Sequence, residues 1–169
     1  MNSIASNLFR FVIFIALQVF IFNYVHLFGF INPQVYILPL LLLPLEMKKT
    51  FQYLIAFITG YFIDMFFQTY GIHSLACLLL IYFKPIWVSI ITGVRTTDEV
   101  FKPLPGEKDL KWILAYVGGL VFLHQLTITM LETFNMREIL MILWVSLATA
   151  LVTTILIVSI LYIFFYSKK

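Results

Sequence analysis

Charged side chains are scarce in this chain. They make up 11% of its 169 residues, whereas soluble domains carry about 25%. The stretch from Phe11 to Leu45 contains none over 35 residues, and one membrane span needs about 20 apolar residues. With 62% hydrophobic residues in so short a chain, we expect no separate soluble domain. The sequence predicts an all-α, polytopic membrane protein.

The sequence also lacks the common signatures of catalysis. Cys77 is its only cysteine, so no disulfide can form within the chain. It has no nucleophile-elbow, phosphate-loop, dinucleotide-binding or H-E-x-x-H pattern. The histidines fall on separate predicted spans without metal-ligand spacing. We therefore expect no enzyme, no cofactor and no metal, and the net charge of +3 does not indicate a nucleic-acid partner.

Breaks in the apolar pattern predict six transmembrane helices in one bundle. Gly29 and Asn32-Pro33 divide the first long run, and the polar turns "QTYG" and "ETFNMRE" divide later ones. The second span is short and contains Pro39 and Pro44. We expect it to be kinked, to thin the bilayer or to let its lysines reach toward the membrane surface, and to leave a gap beside its neighbours that a partner helix or lipid fills. The predicted spans are 8–28, 33–47, 51–67, 72–91, 110–131 and 139–165, with a cytoplasmic loop at 93–109.

The basic residues predict the orientation. Positive residues favour the cytoplasmic side of a membrane, and with six spans only Arg137 falls on the opposite side. Both termini are therefore predicted to be cytoplasmic. The nine residues on the cytoplasmic side are Arg10, Lys48, Lys49, Arg95, Lys102, Lys108, Lys111, Lys168 and Lys169.

An aspartate, Asp64, stands inside an otherwise charge-free run in the third predicted span. A carboxylate near the middle of a span is costly, so we expect Asp64 either to face a partner and not lipid, or to be protonated because it is desolvated. Gly60 lies one turn before it and Gln68 one turn after, which predicts a shared packed face. His73, His124 and Glu132 are further polar residues of the outer half of the spans.

Polar side chains also form stripes on the last two spans. Gln125, Thr129 and Glu132 share one side of the fifth, with His124 beside them, and Ser146, Thr149 and Thr153 have helical spacing on the sixth. Two interpretations are open: helix–helix packing through small and polar residues, or a polar cavity open to the outside. The 93–109 loop is likewise either a solvated connector or a docking site for a cytoplasmic partner that uses Phe101 and Leu104.

The stretch "TGYFIDMFFQTYGIHSLACLLLIYFKP" resembles the signature region of the rod shape-determining MreD family. The "YVGGLVFLHQLTITMLETF" stretch resembles the fifth span of MreD proteins of Bacteroidetes type, through His124 and Glu132. The chain length and the proline-bearing second span are similar too. The residues that match the signature in order are Gly60, Asp64, Gly71, Ala76 and Lys84.

The resemblance implies a non-enzymatic scaffold of the cell-elongation machinery in the bacterial inner membrane. Its partners would be an MreC-like single-span protein and, directly or indirectly, the MreB cytoskeleton and the side-wall peptidoglycan synthases, a RodA-type polymerase and its transpeptidase. Membrane lipid would surround it. Asp64 would be the membrane carboxylate of the family, which orders the turn between spans 3 and 4 or lines a groove.

The MreD fold is similar to that of the substrate-binding subunits of energy-coupling-factor transporters, which supplies an alternative function. Such a subunit would hold a vitamin or another small molecule in an outward cavity. It engages its energising module through small-residue motifs on the first span. Here that span reads "FRFVIFIALQVFIFNY", with Ala16 as its one alanine, which argues against a transporter subunit.

Overall fold

The computed structural model of the chain describes residues 4–93 and 103–165, and that part of the chain is all-α. Apolar runs form its helices, and short polar or glycine-containing turns end them. Three short 3₁₀ turns, Phe22–Tyr24, Val35–Ile37 and Met136–Glu138, lie between the helices. The six helices are α1 (Ile4–Phe20), α2 (Leu38–Leu41), α3 (Lys49–Phe67), α4 (Ile72–Thr92), α5 (Leu110–Thr133) and α6 (Ile139–Phe165).

Four of these helices, α3 to α6, are long and apolar enough to cross a membrane. Their bounds lie within two residues of the last four predicted spans. α6 is the most apolar and is 27 residues long, and α4 continues through Pro85 without ending. Large apolar side chains such as Phe62 and Leu151 are exposed along the outer faces of these helices. The chain is thus a multi-pass membrane protein with four candidate spans.

Consecutive helices pack against each other as antiparallel neighbours, α3 on α4, α4 on α5 and α5 on α6. α1 packs on the Val35–Ile37 turn, on α2 and on α3. α1 has 17 residues, which corresponds to about 25 Å at 1.5 Å per residue. The predicted first span, 8–28, extends beyond the C-terminal end of α1 at Phe20, and Phe22–Tyr24 forms a separate 3₁₀ turn there.

The second predicted span is not a continuous helix. From Pro33 to Met47 the chain forms the Val35–Ile37 turn, the four-residue helix α2 and then irregular backbone. Pro39 and Pro44 have no N–H to donate, and Pro44 lies three residues beyond the end of α2. We call residues 33–47 the broken segment. Its residues from Val35 to Leu41 are essentially inaccessible, so neighbouring helices leave no gap beside that part, whereas Pro44 and Glu46 near its end are exposed.

Glycines set two of the close helix contacts. At Gly60 of α3, an added Cβ would lie 2.6 Å from the backbone nitrogen of Ser74 and 2.7 Å from the carbonyl oxygen of His73. At Gly119 of α5, an added Cβ would enter the ring of Trp87, whose Nε1 donates to the carbonyl oxygen of Ala115 at 3.0 Å. Only glycine permits both approaches without displacement of a neighbour.

Candidate functional site

Asp64 accepts hydrogen bonds from the first turn of the next helix. α3 ends at Gln68 in the left-handed conformation, and α4 starts after Gly71, whose φ is +89°. The backbone N–H of His73 donates to Oδ1 of Asp64, and that of Ser74 donates to Oδ2, both at 2.9 Å. The first turn of any helix has N–H groups without intrahelical partners. Asp64 supplies those partners from the preceding helix, where a local side chain usually does so.

Side chains complete the shell around the same carboxylate. The hydroxyls of Thr69 and Ser74 each donate at 2.6 Å, to Oδ1 and Oδ2 respectively. Nδ1 of His73 lies 3.1 Å from Oδ1 and 2.9 Å from Thr69 Oγ1. Because the hydroxyl proton of Thr69 goes to Asp64, a hydrogen on Nδ1 is what satisfies both contacts. Five donors therefore surround one carboxylate.

This shell explains why an aspartate is tolerated within an apolar helix. Asp64 is 5% exposed and every close polar neighbour is a donor. A negative group at a helix N-terminus also interacts favourably with the helix dipole. The carboxylate is thus a structural joint between α3 and α4, and it holds the 68–71 turn in place.

Lys84 links α4 to the broken segment, as Asp64 links α3 to α4. It is fully buried in α4, and its Nζ donates to the carbonyl oxygens of Leu40 at 3.0 Å and Leu43 at 2.6 Å. The hydroxyl of Tyr116 donates to the carbonyl oxygen of Leu41 at 2.8 Å. The carbonyls at the end of a helix have no intrahelical partner, and basic groups favour that end. Side chains of α4 and α5 therefore complete the C-terminal end of α2.

Two glutamines form hydrogen bonds with the backbone at the two ends of the broken segment. Nε2 of Gln52 lies 2.8–3.3 Å from the carbonyl oxygens of Pro44, Leu45 and Met47. Gln18 of α1 donates to the carbonyl oxygen of Pro33 at 3.1 Å and accepts from the N–H of Val35 at 2.8 Å. Irregular backbone at membrane depth is tolerated only where protein satisfies it, and these side chains satisfy it.

A second polar contact lies deeper among the helices. The hydroxyl of Tyr36, in the broken segment, is 3.0 Å from Nε2 of His124 in α5. The Cys77 thiol lies 3.9 Å from the same nitrogen. The Tyr36 ring also lies 6.2 Å from the ring of His73, centroid to centroid. Tyr36 thus stands between the two histidines.

The structure brings together only some of the residues singled out in the sequence. Gly60, Asp64, Gly71 and His73 meet at the α3–α4 corner, and Tyr36 connects this corner with His124. The prediction that Gln68 shares the packed face of Asp64 is wrong. Gln68 leaves the helix with a φ of +57° and its side chain is exposed.

The remaining two candidates lie elsewhere. Lys84 is more than two turns further along α4, at the broken segment. Glu132 is exposed in the last turn of α5. Of the proposed cytoplasmic docking residues, Leu104 is half-buried. Phe101, with most of the 93–109 loop, lies outside the described residues, as do four of the basic residues that predict the orientation, Arg95, Lys102, Lys168 and Lys169.

Several polar residues that hold the fold together were not singled out in the sequence. They lie at mid-span or turn positions and belong to no recognisable sequence motif. The rule that a polar residue in a span needs a partner points to them, but it does not name the partner. The residues concerned are Gln18, Gln34, Tyr36, Gln52, Thr69, Ser74 and Tyr116.

An open groove of about 620 Å³ runs between α3 and α4 beside the Asp64 corner. The 68–71 turn and Asp64 close one end of it. Apart from Ser74, its walls are otherwise apolar and aromatic, and much of their surface is exposed. The apolar residues that line it are Phe57, Tyr61, Met65, Leu75 and Leu78.

The fold and these joints define a multi-pass, all-α membrane protein built around a buried, broken segment. In the described residues, no group of three or more His, Cys, Asp or Glu side chains lies close enough to hold a metal ion. Comparison with protein-family models, with curated proteins and with solved structures gives no match.

Proposed function

We propose that this protein is an MreD-like scaffold of the cell-elongation machinery in the bacterial inner membrane. It binds a single transmembrane helix of an MreC-like partner and, through it, associates with the MreB cytoskeleton and the side-wall peptidoglycan synthases. The carrying observation is the signature-like stretch 59–85. Two of its matching residues, Asp64 and Lys84, are joints of the fold.

The chemistry of these joints supports a structural role. Asp64 and Lys84 form their hydrogen bonds with backbone and side-chain groups of the protein itself. The hydroxyls of Thr69 and Ser74 both donate to Asp64 itself. Rigid joints of this kind suit a protein that presents a fixed surface to a partner within the membrane.

The groove between α3 and α4 is the docking surface that we assign to the partner helix. Since residues 35–41 of the broken segment are buried, the partner has no gap to fill there. The groove instead offers an apolar, open channel whose walls span about two turns of α3, from Phe57 to Met65. A single apolar helix is the occupant that this length and chemistry fit, because helices in membranes associate through close side-chain packing.

We further propose six membrane crossings with both termini cytoplasmic. α1 and the broken segment would supply the two crossings beyond the four long helices, and the nine-to-one distribution of basic residues supports the orientation. A reporter active only outside the cytoplasm should be silent when fused at residues 48, 100 and 169. It should be active near residues 31, 70 and 135. Activity at residue 100 would refute this topology.

The scaffold function is tested by purification from native cells in mild detergent. We expect a single-span wall protein to co-purify in stable proportion and rod-shaped cells to become spheres when the protein is depleted. Leu75→Trp should fill the groove and reduce the recovery of the partner. Leu147→Trp is the matched control, because Leu147 is similarly exposed on α6 (46% against 43%) but lies away from the groove.

The transporter alternative predicts a different set of partners. ATPase subunits and a tightly held small molecule would co-purify, and cell shape would stay normal on depletion. That result would reject the scaffold function. Equal recovery of the wall protein with Leu75→Trp and with the wild type would retain the scaffold function but reject the groove as the docking surface.

A further inference from the structure

Two classes of hydroxyl group stand out in the membrane helices, apart from that of Ser74, which donates to Asp64. In the first class the hydroxyl donates to the carbonyl oxygen four residues earlier in its own helix, which satisfies it locally. The distances are 2.8–3.0 Å. The members of this class are Thr59, Thr127, Thr129 and Ser159.

The second class lies on one face of α6. Ser146, Thr149 and Thr154 make no such bond, and their hydroxyl oxygens have no partner among the described residues. All three side chains are more than nine-tenths buried. A buried hydroxyl that makes no hydrogen bond within its own helix needs a partner from elsewhere in the interior.

The face of α5 that packs against these residues of α6 also carries buried polar atoms without a described partner, at the same height along the two helices. An added Cβ on Gly118 would lie 3.8 Å from the Thr154 side chain. Six residues further along α5 is His124, and six residues back along antiparallel α6 is Ala148, between Ser146 and Thr149. Nδ1 of His124 and Oε1 of Gln125 are also buried without a described partner.

The broken segment adds a third side. The backbone N–H of Gln34 donates to Thr153 Oγ1 at 3.2 Å, one turn from Thr149, while the side-chain Oε1 of Gln34 has no described partner. Each buried polar group left unpaired costs about 1–3 kcal/mol. So many of them on three facing elements indicate a ligand that pairs with them together.

We propose that α5, α6 and the broken segment enclose a binding site for a neutral, hydrogen-bonding ligand. The amide oxygens of Gln34 and Gln125 require donors, and the hydroxyls of Ser146 and Thr149 can donate or accept. No Asp, Glu, Lys or Arg belongs to this set, so a charged ligand would have no counter-ion. Bound water molecules or a small solute with hydroxyl or amide groups supply this chemistry. The site does not depend on the scaffold function.

Water-edited solid-state NMR on the protein in lipid vesicles tests the water source, with ¹³C-labelled threonine and histidine. We expect magnetisation from water to reach Thr149 and His124. Thr59, which is equally buried but bonded to its own helix, should receive none. In the Ser146→Ala/Thr149→Val double variant, transfer to His124 should be lost, whereas Thr127→Val should leave it unchanged.

Native mass spectrometry of the detergent-released protein tests the solute source. A bound solute would appear as a mass increment in the wild type and in Thr127→Val, and the double variant would lose it. Either signal, water transfer or a mass increment, supports the site. A wild-type protein that shows neither would overturn the proposal, and this comparison holds even if the double variant fails to fold.

Discussion

Asp64→Leu is expected to unfold the α3–α4 corner and to lower the free energy of unfolding by about 3–5 kcal/mol, the range for removal of one partner from a buried, charged network. Leucine removes the acceptor that five donors share, including the backbone N–H groups of His73 and Ser74. Those two amides cannot turn toward another partner, because the start of α4 fixes them. The loss should appear as a lower Tm and as less folded protein in the membrane.

Asp64→Asn is expected to be tolerated better than Asp64→Leu but not to equal the wild type. Its amide oxygen replaces one carboxylate oxygen, while its NH₂ group faces donors at the other position. If the oxygen stays toward Thr69 and His73, the NH₂ meets the N–H and O–H of Ser74. The asparagine variant should therefore lie between the wild type and the leucine variant in Tm.

Matched controls separate the backbone from the side-chain part of this network. Thr69→Val and Ser74→Ala each remove one hydroxyl and leave the amide bonds intact. Each should cost about 1.5–3 kcal/mol, the scale of a hydrogen bond to a charged group. Unfolding in detergent, followed by circular dichroism, measures all four variants. If Asp64→Leu is as stable as the wild type, the interpretation of Asp64 as the joint of α3 and α4 is wrong.

The four long helices follow from the sequence because local signals decide them. An apolar run of sufficient length forms a helix in a membrane, and turns such as "QTYG" stop it. Local signals do not decide the structure of the broken segment. Its apolar composition predicts a span, but Pro39 and Pro44 remove hydrogen-bond donors, and the carbonyls so freed have partners far away in the chain. Lys84 and Tyr116 supply those partners, and nothing local identifies them.

The candidate site shows the same difference between what local sequence predicts and what contacts with other parts of the fold decide. The cost of a carboxylate in a span predicts that Asp64 has partners, and it has them. Which partners they are depends on the left-handed turn that begins at Gln68, which also removes Gln68 from the packed face. A helical spacing rule applies only while the helix continues. The rule therefore held for Gly60 and failed four residues beyond Asp64.

Gly60→Ala is expected to be among the most destabilising alanine substitutions in the protein. In an ordinary helix interior, glycine to alanine gains about 1 kcal/mol of helix propensity. At Gly60 the new methyl group would meet the backbone of Ser74 and the carbonyl oxygen of His73, and backbone atoms of a packed helix cannot rotate away as a side chain can. α3 and α4 must then separate, which moves His73 and Ser74 away from Asp64 and weakens its hydrogen bonds.

Gly118→Ala provides the matched control for Gly60→Ala. Gly118 also lies inside a membrane helix, but an added Cβ there would meet only the Thr154 side chain, at 3.8 Å, an ordinary contact. We expect Gly118→Ala to leave the Tm unchanged or to raise it slightly, and Gly60→Ala to lower it by a margin comparable to Asp64→Leu. The double variant Gly60→Ala/Asp64→Leu should be less destabilised than the sum of the two changes, because both disrupt the same corner. Additive losses would mean that the close approach at Gly60 and the cap by Asp64 stabilise the fold independently, and would contradict the single joint inferred here.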